Sequence, residues 1–148
     1  GGRDRESLRA ELRKSFGIGA TALEAGVAYR GIYPGRDGAA LADLASQVAS
    51  GDPGALSEPF APFYGRHYAE LSLYAENSDA FSFTTDLDCQ LPWGSLSTDS
   101  RIDVYIGNAS IFLRVQAIVG AGDGEFIALS RAQGLPLLVV WSGVEFSF

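Results

Sequence analysis

Residues 81–89, FSFTTDLDC, decide the predicted fold because their apolar side chains return at every second position. Phe81, Phe83 and Cys89 fall on one side of this alternation, while serine, threonine and aspartate fill the other side. Successive side chains of a strand point to opposite faces of a sheet, so the pattern predicts a strand with one face in water.

Runs of apolar or alternating residues follow downstream, at residues 102–106, 111–119, 125–130 and 137–148. The pair Gly107-Asn108 between the first two runs is typical of a tight hairpin turn. Gly143 interrupts the last run and predicts a β-bulge. The C-terminal half is therefore predicted to be an antiparallel meander of about five strands.

Upstream of residue 78 the apolar residues recur at a spacing that is typical of helices. Leu8, Leu12 and Phe16 are four residues apart, and charged residues surround them, which predicts an amphipathic helix over residues 4–16. The same reasoning predicts helices over residues 21–29, 39–50 and 60–76.

Helices followed by strands, without alternation along the chain, favour an α+β fold. We predict three or four N-terminal helices (residues 4–77) packed on a C-terminal antiparallel sheet of about five strands (residues 80–148) that is strongly curved and barrel-like. With 148 residues, of which 47% are hydrophobic, the chain is predicted to form one domain, residues 1–148, with a sizeable core.

The charge of the chain restricts its partners. The net charge is −7, from 11 basic and 18 acidic residues, so no nucleic-acid partner is expected. The negative charge concentrates in the C-terminal half, which favours a protein partner with a basic surface. No apolar run approaches the roughly 18 residues of a membrane helix, so we predict no membrane span. A single free cysteine, Cys89, favours a reducing compartment, and we predict a cytoplasmic protein.

Few residues offer chemistry. His67 is the one histidine and the natural candidate for an acid–base pair with Asp86, Asp88 or Asp103. Its position among aromatic residues favours packing instead of catalysis. Asp86 and Asp88 are predicted to point the same way from one strand, about 7 Å apart. The chain lacks a calcium-loop spacing and a His/Cys cluster, so we predict no metal and no cofactor.

Trp93 lies in the predicted loop Leu91-Pro92-Trp93-Gly94, where a large apolar side chain either plugs the core or contacts a partner. The residues predicted to take part in binding are therefore Trp93, Asp86, Asp88, Asp103 and His67.

Three functions are compatible with the sequence, and none is fixed by it. The leading hypothesis is a non-enzymatic domain that binds another protein through an acidic β face and exposed aromatic residues. An adaptor, an inhibitor or immunity-type protein, or a component of a larger assembly would all fit. One alternative is a small-molecule-binding or sensor domain, with a pocket between helices and sheet lined by Phe63, Tyr64, Tyr68, Phe81, Phe83 and Trp141. The other is a small hydrolase-like enzyme that uses His67 with an aspartate.

Overall fold

The structure, a computed structural model, describes residues 6–33, 43, 46–47, 50–51, 67–91, 94–120 and 124–146. Its strands are β1 (Glu6–Ile18), β2 (Thr21–Tyr33), β3 (His67–Asn77), β4 (Phe81–Leu91), β5 (Ser95–Ile106), β6 (Ala109–Gly120) and β7 (Leu138–Phe146). A single short helix, α1 (Glu125–Ala132), lies between β6 and β7 in the described part of the chain. Among the described residues, no helix is long and apolar enough to cross a membrane.

The seven strands form one open antiparallel sheet, in which each strand pairs with its neighbour in the sequence. Tight turns join β1 to β2, β3 to β4 and β5 to β6, and all three lie at one end of the sheet, here called the short-turn end. The remaining connections, residues 34–66, 92–94 and 121–137, leave from the opposite end, here called the long-loop end. Gly19 and Gly107 adopt positive φ in two of the tight turns, as the predicted hairpin at Gly107 requires.

The prediction of an α+β fold with three or four N-terminal helices is wrong, because residues 6–33 and 67–77 are strands. The sheet has seven strands instead of about five, and it is open instead of barrel-like. The error has a simple cause. Leu8, Leu12 and Phe16 are four residues apart, and four is a multiple of the strand period as well as close to one helical turn. In β1 they share one face, and Arg9 lies on the other.

Three smaller predictions are also resolved. Of the predicted helix at 39–50, residues 43 and 46–47 are helical and the rest, except Ser50, lies outside the described residues. Residues 125–130 form helix α1 and not the predicted short strand. No bulge occurs at Gly143, since β6 and β7 pair without interruption through it. Instead, Gly143 makes room for the ring of Phe112, which a Cβ at this position would approach to 2.7 Å. The single domain over residues 1–148 stays a prediction.

The strand register divides the side chains into two faces, because directly opposed residues of an antiparallel pair point the same way. We call the face that carries helix α1 the inner face and the other the outer face. The inner face holds the charged strand residues Arg9, Glu11, Arg13, Glu24, Arg30, Glu70, Glu76, Asp86, Asp88, Asp99, Arg101, Asp103, Arg114 and Glu145. Only Glu6 and Lys14, of the strands' Asp, Glu, Lys and Arg residues, lie on the outer face.

The burial of side chains is the reverse of the usual arrangement. Six apolar residues are buried in the described part of the chain, and they are Ala28, Ile32, Tyr68, Ala75, Cys89 and Ile127. By contrast, 21 large hydrophobic residues are exposed, and all of them except Tyr74, Leu135 and Trp141 lie on the outer face. Exposure reaches 75% at Tyr33 and 72% at Leu12. Most of the exposed large apolar side chains therefore lie on the outer face, whereas most charged residues of the inner face are half-buried.

Candidate functional site

Ion pairs connect neighbouring strands across the inner face near β1, β2 and β3. Glu70 on β3 receives two arginines, since Arg9 Nε lies 2.8 Å from Oε2 and Arg30 Nε lies 2.5 Å from Oε1. Glu11 on β1 pairs with Arg9 at 2.5 Å and with Arg13. These interleaved charges satisfy one another, so this part of the inner face is a network and not a cluster of one sign.

A cavity of about 400 Å³ opens beside this network and extends across the sheet to β4 and β5. Asp86 and Asp88 line it, and both side chains lie on the inner face, on the same side of β4 as the sequence predicts. None of the described side chains forms an ion pair with either carboxylate. Nor does the described part of the chain hold a group of three or more His, Cys, Asp or Glu residues arranged to bind a metal ion.

A second network lies on β5, β6 and β7. Arg101 donates two hydrogen bonds to Asp103, at 2.8 and 2.6 Å, and also contacts Glu145 on β7 at 3.1 Å. Arg114 makes a similar two-bond pair with Asp99, at 2.9 and 2.5 Å. Bidentate arginine–carboxylate pairs are among the stronger polar contacts in proteins. Asp103, a predicted binding residue, is therefore already engaged within the sheet.

Aromatic rings complete this second network. The guanidinium carbon of Arg101 lies 4.6 Å from the centre of the Phe112 ring, and that of Arg114 lies 5.6 Å from the Trp141 ring. Both rings are on the inner face, so each arginine is held by a carboxylate and by an aromatic face. The inner face is thus filled by ordered polar and aromatic side chains.

Helix α1 covers the inner face at the long-loop end. Its first residue, Glu125, is completely buried, and the carboxylate accepts a hydrogen bond from the hydroxyl of Tyr68, which is also completely buried. Gln90 Oε1 accepts the backbone N–H of Glu125 at 2.8 Å, and Ser95 Oγ accepts that of Phe126 at 3.0 Å. Side chains from β4 and β5 therefore replace the missing cap at the start of the helix.

The outer face has its aromatic residues near the two ends of the strands. Phe16, Phe81, Phe83 and Phe146 lie towards the short-turn end, and Tyr29 and Tyr33 lie towards the long-loop end. Between these two bands, the outer face consists mostly of leucine, valine, isoleucine and alanine, with threonine and serine at a few positions. The face is thus banded along the strand direction.

His67 lies apart from the carboxylates with which it was predicted to pair. It stands on the outer face at the start of β3, where Nδ1 is 2.6 Å from the hydroxyl oxygen of Tyr29 and the two rings stack. Asp86, Asp88 and Asp103 are on the inner face. The sheet itself separates the two groups, so the structure does not assemble the predicted acid–base pair.

Trp93, another predicted binding residue, lies outside the described residues.

The predicted aromatic pocket is divided in the same way. Tyr68 and Trp141 are on the inner face, whereas Phe81 and Phe83 are on the outer face, and Phe63 and Tyr64 lie outside the described residues. A cavity of about 460 Å³ does lie beside Trp141, between the inner face and the segment that follows α1. It is a mixed polar and apolar space, bordered by Asp99, Gln116 and Leu135 among others.

Sequence reasoning missed the outer face, although its signal is present in the sequence. In β1 the residues Leu8, Ala10, Leu12, Phe16 and Ile18 alternate with polar ones over the whole strand. Reading that run at period two would have placed Arg9 and its partners on the opposite face.

Comparisons with protein-family models, with curated proteins and with solved structures give no match to this chain.

Proposed function

We propose that the sheet is a membrane-inserted element, whose outer face contacts the hydrocarbon of a lipid bilayer and whose inner face borders a polar interior. The observation that carries the proposal is the inverted polarity of the sheet. Fourteen charged strand residues lie on the inner face, which also carries helix α1. Two charged strand residues lie on the outer face, where most of the exposed large hydrophobic residues are found.

Water is a poor environment for such an outer face. Soluble monomers rarely expose a contiguous apolar patch larger than a few hundred Å². Here exposed large apolar side chains occur on six of the seven strands, from Leu12 on β1 to Val140 on β7, and those of β4 between them are half-buried. In a bilayer the same surface needs no protein cover, because lipid tails are as apolar as leucine.

The lengths of the strands fit the thickness of a bilayer. Strand β4 has 11 residues, which at about 3.3 Å per residue gives roughly 36 Å. Tilted by about 45°, as strands in membranes are, it spans roughly 26 Å, close to the ~25 Å apolar band that such sheets present. The strands β1 and β2, with 13 residues each, extend somewhat further.

The bands on the outer face also fit this environment. The phenylalanines at the short-turn end and the two tyrosines of β2 at the long-loop end correspond to the two interfaces of a bilayer, where aromatic side chains are enriched. Of the two charged residues on the outer face, Glu6 is the first residue of β1. Lys14 is long enough to extend its ammonium group towards the short-turn end. Tight turns at one end, with two of the three connections at the other end longer, are a further feature shared with membrane sheets.

The alternative is a cytoplasmic protein that binds a partner with a basic surface. A small ligand in the 400 Å³ cavity is compatible with this alternative and with the membrane proposal. The net negative charge disfavours a nucleic-acid partner under either proposal. The acidic residues of β5 support the alternative only weakly, because Asp99 and Asp103 are paired with arginines. A protein covering the outer face would have to bury an area spread over seven strands.

The test places one tryptophan on either face at nearly the same depth. In a Trp93→Phe, Trp141→Phe background, Leu113→Trp puts the probe on the outer face and Phe112→Trp puts it on the inner face. In phosphatidylcholine vesicles with brominated acyl chains, we expect strong fluorescence quenching for Leu113→Trp and at most a third as much for Phe112→Trp.

Three results would overturn the proposal. The protein remains in the aqueous phase after flotation of the vesicles, or both probes are quenched equally, or neither is quenched. A protein that stays in the aqueous phase and forms a stable dimer by light scattering would identify a protein surface as the cover of the outer face.

A further inference from the structure

The two outermost strands of the sheet each have one unpaired side. Strand β1 pairs only with β2, and β7 pairs only with β6, within the described part of the chain. Soluble proteins protect such edges with proline, bulges, or charges that point inward from a short strand. Neither residues 6–18 nor residues 138–146 contain a proline, and both pair in an unbroken register. Charged side chains also protect edges, and β1 carries four of them at Arg9, Glu11, Arg13 and Lys14, whereas β7 carries only Glu145.

The edge strands also keep the polarity of the central strands. On β7, Leu138, Val140, Val144 and Phe146 face outward, and each is more than half exposed. Trp141 and Glu145 face inward. The alternation thus continues to the last strand on each side, as if another strand of the same kind were to follow it.

The direction of the strands determines how the two edges could pair with each other. All six pairings are antiparallel, so β1 and β7, the first and seventh strands, run in the same direction. A direct β1–β7 pair would be parallel. So would a β7–β1 pair between two copies that cross the bilayer with the same orientation. An antiparallel neighbour for either edge must therefore be a different strand.

We infer that β1 and β7 are strand-pairing surfaces, each of which binds an antiparallel strand of alternating apolar and polar residues and not the other edge. The inference rests on the proposed function, because a bilayer offers no water to the free N–H and C=O groups of an edge strand. The partner's apolar residues continue the outer face, and its polar residues continue the inner face beside Glu145 or Arg13.

The test uses amide hydrogen exchange of the 148-residue chain in dimyristoylphosphatidylcholine vesicles. The probe is a synthetic peptide with the sequence of β6, residues 109–120, which is the natural antiparallel neighbour of β7. We expect the amides of β7 that do not bond to β6 to exchange at least tenfold more slowly with the peptide than without it. A peptide of the same composition without the alternation is the control. The β2 sequence, residues 21–33, serves in the same way for β1.

A disulfide test runs beside it in a Cys89→Ser background with Leu12→Cys on β1 and Val140→Cys on β7. We expect no disulfide within one chain on oxidation. Such a disulfide, or equal effects of peptide and control, would each overturn the inference. Flotation of the same vesicles separates the two proposals. Protein that does not float contradicts membrane insertion, whereas protein that floats but ignores the peptides contradicts the edge inference alone.

Discussion

A new charge at the centre of the outer face should be far more costly than the same charge one residue away. Val115 lies near the middle of β6 and faces outward, while Gln116 faces inward, where its Nε2 donates to Asp99 at 2.6 Å. We therefore compare Val115→Arg with Gln116→Arg. The second variant places its guanidinium beside an existing carboxylate and should change the free energy of unfolding by less than about 1 kcal/mol.

The magnitude follows from the depth of Val115. It is six residues from Ala109, where β6 begins at the short-turn end, or about 20 Å along the strand. A tilt of about 45° reduces this to roughly 14 Å along the membrane normal, half of the ~30 Å hydrocarbon core. Arginine at that depth costs about 2–4 kcal/mol, which lowers the folding equilibrium constant roughly 30-fold to 700-fold. On a face in water, the change would stay within about 0.5 kcal/mol.

The assay is urea unfolding in phosphatidylcholine vesicles, followed by tryptophan fluorescence. Ile106→Arg is the depth control, because Ile106 is 60% exposed on the outer face but lies at the end of β5. Arginine near a membrane interface costs about 0–1 kcal/mol. The reasoning is refuted if Val115→Arg and Ile106→Arg are equally destabilising, or if Val115→Arg is no worse than Gln116→Arg.

Two further predictions concern helix α1. Glu125→Gln weakens the contact with the Tyr68 hydroxyl and should lower the stability of α1 by about 1–3 kcal/mol. We expect amide hydrogen exchange to accelerate more in α1 than in the strands. Equal acceleration everywhere would contradict a local role of this contact. Gly124→Ala should destabilise the protein by at least about 2 kcal/mol in urea unfolding, since a Cβ there would lie 2.3 Å from the carbonyl oxygen of Gly94. Gly17→Ala, whose Cβ would meet only Thr21 at 3.8 Å, is the matched control and should be nearly neutral.

The sequence alone predicts the C-terminal sheet better than the N-terminal one, and the reason is local. In β4 the alternation includes Phe81 and Phe83 against Ser82, so no helical reading competes with it. In β1 the large apolar side chains of Leu8, Leu12 and Phe16 are four residues apart, and that spacing suits a helix and a strand equally. Ala10 lies two residues from each leucine, which fits a strand and not a helix. Its side chain is small, however, so a search for recurring large apolar residues passes over it.

Helix α1 is a different case, because no local pattern in residues 125–130 distinguishes it from a strand. Its first N–H groups are bound by Gln90 and Ser95, which lie about 30 residues away in the sequence. The exposed apolar outer face was missed for a related reason. The sequence correctly places Asp86 and Asp88 on the same side of β4, but whether that side or the apolar side meets water depends on the environment of the whole sheet, and single-strand patterns do not report it.

The dependence of α1 on distant side chains also sets an order of assembly. Eight residues are too few for a helix to persist by itself in water. Its capping oxygens come from β4 and β5, and the hydroxyl bound by Glu125 comes from β3, so these three strands must be aligned before the helix gains its contacts. We therefore expect helix α1 to form only after β3, β4 and β5 have paired at the long-loop end.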